Sequence, residues 1–140
     1  MRRGDQHFID IIQPLLNQWS VKLGLAGRWH IHIELADIVS NEVEVNASVS
    51  VNDPYKKALL TFSRPGITRD ANRPELEYTI IHELLHIVVA EELTNFIKRD
   101  WMTPEQFTSL GDRQEGLIDT LSVILFDLAH ADHPETVHAH

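Results

Sequence analysis

The chain contains no cysteine. Disulfides, thiolate metal sites and cysteine nucleophile chemistry are therefore excluded, and any metal must be held by His, Asp or Glu. Basic residues are also scarce: 12 Lys and Arg stand against 21 Asp and Glu, for a formal net charge of −9. Phosphate contacts need a cationic surface. The only basic clusters (Arg2-Arg3, Lys56-Lys57, Lys98-Arg99) are short and read as solvated surface, so no nucleic-acid partner is expected. No apolar run approaches the length of a membrane span, so no membrane partner is expected either. The two early arginines are followed by Asp5, Gln6, His7 and Asp10 rather than by the continuous apolar core of a secretory signal, which makes a cytoplasmic location the expectation.

What is present is an ordinary globular composition, 43% apolar and 24% charged, in 140 residues. That length fits one domain with a real core. Residues 1–131 are read as this domain, and the polar residues 132–140 as a frayed tail. No feature of the sequence fixes an oligomeric state.

The pattern along the chain predicts an α+β fold. Phe8, Ile11, Ile12, Leu15, Leu16, Trp19 and Leu23 recur at helical spacing over residues 6–23. Pro14 is expected to bend or divide this helix, and Gly24 and Gly27 to end it. Residues 29–35 then alternate with period two, Trp29, Ile31, Ile33 and Leu35 facing one way and His30, His32 and Glu34 the other. Residues 43–51 alternate as clearly, Asn52-Asp53-Pro54 marks a turn, and residues 57–63 form a third strand. Such alternation suits a small sheet with one covered face. Pro74 fits a first helical position, and the helix it opens should run to about Lys98-Arg99. Thr103-Pro104-Glu105-Gln106 matches a capping box. It starts a last helix, or a pair interrupted at Gly111 and Gly116, reaching about Ala129.

The most informative residues are His82-Glu83-Leu84-Leu85-His86. Two imidazoles four residues apart lie on one helical face and can hold one metal ion together, while Glu83 beside them can act as general base towards a metal-bound water. Ile80, Ile81, Leu84, Leu85, Ile87, Val88 and Val89 make the helix apolar on nearly every side, the mark of a buried helix. Unpartnered burial of two imidazoles and a carboxylate would cost on the order of a few kcal/mol each, and a cation would offset much of that.

A hydrolytic zinc normally has three protein ligands and an open position for water. Glu92, six residues after His86, is excluded because an unbroken helix carries it about 9 Å further along the axis. The better candidate is Glu115. With Asp119 it forms an i, i+4 acidic pair on a helix that is otherwise apolar (Leu117, Ile118, Leu121, Ile124, Leu125). Glu115 is expected to bind the metal, and Asp119 to accept a hydrogen bond from the far nitrogen of a ligand histidine. Asp119 or Asp112 as the direct ligand is the lesser alternative.

The combination of His82-Glu83-x-x-His86 with Glu115-x-x-x-Asp119 resembles the gluzincin branch of the zincin metallopeptidases. The resemblance covers roughly residues 29–128 in architecture and about seven residues in detail, and it implies a minimal, single-domain form. It implies a zincin-like fold: an N-terminal helix, a small antiparallel or mixed sheet, an active-site helix and a glutamate-bearing C-terminal helix. It also implies Zn2+ held by His82, His86 and Glu115, Glu83 as general base, Asp119 behind the ligands, and a peptide or protein substrate. In that architecture an edge strand often pairs with the extended substrate, and the strand at 57–63 is taken as that edge. Tyr55, Tyr78, His130, His30 and His32 remain open as oxyanion donors, although His30 and His32 suit a solvent-facing position better. The tail histidines His133, His138 and His140 are read as belonging to a flexible tail. The alternatives are a catalytically silent, metal-stabilised regulatory module, and a zinc-dependent hydrolase acting on RNA. Glu83 beside the metal motif argues against the first, and the acidic charge against the second.

Overall fold

The computed structural model describes residues 4–37, 47–52, 55–65, 73–96 and 103–131. Among them the chain forms a small α+β fold of three long helices and a three-stranded mixed sheet. Helix α1 (Asp5–Lys22) buries Ile12, Leu15, Leu16 and Trp19 of the stripe read from the sequence, leaves Phe8 half-buried, and exposes Ile11. It runs through Pro14 without being divided, and Pro14 is exposed. The carbonyl left without an amide partner is then on the side where water can meet it. Gly24 and Gly27, with φ of 74° and 83°, turn the chain back towards the sheet in a left-handed conformation that other residues adopt only with strain.

Strands β1 (His30–Ala36), β2 (Ala47–Asn52) and β3 (Lys57–Ser63) are ordered β1-β3-β2. β1 pairs with β3 in parallel and β2 pairs with β3 antiparallel. The register aligns Ile31 with Ala58, Ile33 with Leu60 and Leu35 with Phe62 on one side. On the other it aligns Val51, Val49 and Ala47 with the same three residues. A grid of apolar side chains thus faces the helices, while His30, His32 and Glu34 point to solvent. This order corrects the expectation that residues 57–63 form the edge. β3 is central, and its Ala58, Leu60 and Phe62 are buried to 3% exposure or less. Among the described residues the edges are β1 and β2.

Helix α2 (Arg73–Phe96) packs against α1, β2 and the last helix. Ile80, Ile81, Leu84 and Ile87 are fully buried, as an all-round apolar helix requires. Helix α3 (Pro104–Ala129) starts at a reciprocal capping box: the Gln106 amide donates to Thr103 Oγ1 at 3.1 Å, and the Thr103 amide to Gln106 Oε1 at 2.9 Å. It is one helix, uninterrupted at Gly111 and Gly116. Ile118 and Ser122, one turn apart and fully buried, hold it against the core.

Three polar clusters tie these elements together. Trp19 Nε1 donates to Glu77 Oε2 at 2.8 Å, and His130 Nε2 lies 3.0 Å from Glu77 Oε1. Arg28 and Trp29 donate to Glu91 at 2.7 and 2.6 Å. Arg64 meets Asp5 through two hydrogen bonds of 2.9 Å. No helix among the described residues is long and apolar enough to cross a membrane.

Candidate metal centre

The local fold of α2 places His82 and His86 one turn apart on the side of the helix that meets α3. Leu84, Leu85 and Ile87 take the buried sides, so the two imidazoles are left at the mouth of a cleft, 18% and 29% exposed. Their ring centroids are 5.1 Å apart. On α3, burial of Ile118 turns Glu115 and Asp119 towards the same cleft.

Glu115 stands between the two histidines. Its Oε1 is 3.0 Å from His82 Nε2 and its Oε2 is 3.3 Å from His86 Nε2. Asp119 Oδ1 lies 3.3 Å from the other nitrogen of His82, Nδ1. A donor atom from each of His82, His86 and Glu115 lies within 4.8 Å of the other two, the one such metal-competent group among the described residues. Ligands about 2.0–2.1 Å from a tetrahedral zinc are about 3.4 Å from one another. Two imidazoles and a carboxylate are donors that suit a divalent ion, and atoms this close together could hold one.

His86 is held below the usual histidine range, chiefly by burial and further by His82, with Glu115 acting in the opposite direction. A lowered value favours the neutral imidazole, the form that ligates. Glu83 lies beside the histidines in the cleft wall, only 7% exposed. Burial, and secondarily the charge of Glu115, pushes its carboxyl up to about 7. Among the described residues, no hydrogen-bond donor meets it.

The cleft has a volume of about 520 Å3. One wall is α2, including Tyr78 and Thr79, and the opposite wall is Ala47, Ser48 and Val49 of β2. Of the five oxyanion candidates, only Tyr78 lines it. Tyr55 is 72% exposed elsewhere, His30 and His32 lie on the far edge strand, and His130 is engaged with Glu77. The phenol of Tyr78 is held above its ordinary range by burial first and the charge of Asp119 second. Asp112 is exposed and does not line the cleft. The tail histidines lie outside the described residues, as does the end of the motif helix predicted at residues 98–99. The β2 wall was not anticipated. Sheet order decides it, and nothing local in residues 47–49 announces it.

Comparison with protein-family models, with curated proteins and with solved structures finds no significant match.

Proposed function

We propose that this protein is a zinc-dependent metallopeptidase of zincin-like design, with His82, His86 and Glu115 as ligands and Glu83 as general base. One observation carries the reading. Two separate helices bring a donor atom from each of His82, His86 and Glu115 within 4.8 Å of one another, at a cleft onto which the buried Glu83 opens. A divalent ion bound there would polarise a substrate carbonyl and lower the pKa of a coordinated water from about 16 towards 7.

The chain's own groups divide the remaining work. Glu83 takes a proton from the attacking water on its carboxylate oxygen and delivers it to the leaving nitrogen. A base poised near the working pH does this well. Asp119 Oδ1, 3.3 Å from His82 Nδ1, would accept a hydrogen bond from that nitrogen and leave Nε2 to a metal ion. The outer edge of β2 borders the cleft, and an extended peptide can pair with such an edge through its backbone.

The geometry also weighs against the two rivals. A purely structural zinc site has no need of a carboxylate beside its ligands, and Glu83 stands beside the three found among the described residues. An RNA substrate would bring phosphates to a cleft lined by Glu83, Glu115 and Asp119, against unfavourable charge.

The test combines metal analysis with cleavage of casein and a peptide library. Wild type and Glu83→Gln should each bind one zinc, and Glu83→Gln should lose cleavage by about 100-fold or more. His82→Ala and Glu115→Ala should lose the metal. A Glu83→Gln protein as active as wild type would overturn the general-base assignment. Zinc-loaded wild type that is stabilised by the metal yet cleaves nothing would identify the silent module instead.

A further inference from the structure

The cleft extends past His82 towards the start of α2. Tyr78 lies there, one turn before His82 on the same helical face, with ring centroids 6.5 Å apart. Phe126 of α3 meets the Tyr78 ring edge-on at 6.3 Å and fixes its orientation. Asp119 borders the same end. Its Oδ1 lies 3.3 Å from His82 Nδ1, and the side chain is 58% exposed and lines the cleft. The small side chains of Ala47 and Ser48 also line the cleft. Among the described residues, no Lys or Arg lines the cleft.

An aromatic ring beside an exposed carboxylate is the chemistry that recognises an ammonium or guanidinium group. The ring attracts the cation through its π face, and the carboxylate adds a charge-assisted hydrogen bond. A divalent ion would offset two of the three cleft carboxylates, and the third is Asp119 at the outer end. The acidic net charge of the chain adds long-range attraction for a cationic ligand.

We propose that Tyr78 and Asp119 form a subsite for a lysine or arginine side chain of an extended peptide substrate, next to the bond to be cleaved. The proposal rests on the peptidase reading of the cleft, and the experiment separates the two. Binding is measured by calorimetry on zinc-loaded Glu83→Gln protein. The probes are blocked alanine hexapeptides that carry one lysine, or one norleucine of similar length, at each position in turn.

Lysine at one position should bind about tenfold more tightly than norleucine, and the ratio should shrink as salt is added. Tyr78→Leu should bring the ratio close to one, while Tyr78→Phe, which keeps the ring, should retain most of it. Equal affinity for lysine and norleucine at every position would overturn the subsite, as would an undiminished ratio in Tyr78→Leu. If lysine is discriminated but zinc-loaded wild type cleaves none of the peptides, the subsite stands and the peptidase reading fails.

Discussion

Asp119 and His82 stand 3.3 Å apart, Oδ1 to Nδ1, on the side of the imidazole away from Glu115. The two nitrogens of one ring thus meet two carboxylates spaced one turn apart on α3. This fixes the ring's rotation. Asp119→Ala should leave the fold intact, because the side chain is exposed, and weaken zinc binding by about 10–100-fold. Competition with a chromophoric chelator measures this. Unchanged affinity would remove Asp119 from the site.

Because His82 and His86 stand on α2 and Glu115 on α3, an ion held by all three would clamp these helices together. At a free zinc concentration 100 times its dissociation constant, folding should gain about 2.7 kcal/mol. In a thermal melt of a domain this size, that corresponds to a rise in Tm of roughly 10 °C. EDTA should reverse the rise, and His86→Ala should abolish it. A melt insensitive to zinc in wild type would contradict the site.

Glu91 provides a pH dependence independent of the metal. Its carboxyl is held below the usual range, first by the hydrogen bond from Arg28 and also by those from Trp29 and Lys56, against the opposing effect of burial. A depressed folded-state pKa contributes stability that is present above the unfolded value of about 4.5 and is lost as pH falls through the folded value. Urea denaturation between pH 7 and pH 3 should show this loss, and Glu91→Gln should flatten that part of the profile. An identical profile in the variant would sink the assignment.

Glu77 joins three helices through single hydrogen bonds to Trp19 and His130. Glu77→Ala would leave the indole N–H of Trp19, a residue only 2% exposed, without an acceptor. The expected cost is about 1–3 kcal/mol in urea denaturation. Glu77→Gln keeps an acceptor for Trp19 and should cost less; equal losses in the two variants would mean that the indole bond is not what matters.

Gly111 and Gly116 lie inside α3, and a methyl group added at either would meet nothing within 4 Å. Alanine at each should therefore stabilise the protein by about 0.5–1 kcal/mol through helix propensity alone. A loss at Gly116 would instead reveal that Glu115 needs local freedom to reach its position.

The residues of the candidate site could be read from the sequence because their relationships are short-range. Four-residue spacing puts His82 beside His86, and Glu115 beside Asp119, whatever the rest of the chain does. The bounds of β3 were equally legible from its alternation. Its place in the sheet was not, since pairing order depends on residues far apart. The clue was composition: Ala58, Leu59, Leu60 and Phe62 give β3 more apolar surface than an edge needs. The cluster around Glu77 was also invisible, because Trp19 and His130 lie 58 and 53 residues away and each is ordinary on its own. Pro14, Gly111 and Gly116 looked like interruptions. Core packing by Leu15, Leu16 and Ile118 outweighs their local preference.

The β1-β3-β2 order also carries an expectation for how the chain reaches its native state. β2 and β3 close across a short connection between Asn52 and Lys57, whereas β1 must find β3 with His30 aligned to Lys57, 27 residues away. Local hairpins form in about 1–10 μs, and non-local parallel pairing comes later because more chain entropy must be surrendered first. Pulse-labelled hydrogen exchange should therefore protect the amides of 47–52 before those of 30–36. The wall of the cleft would then exist before the far side of the sheet is complete.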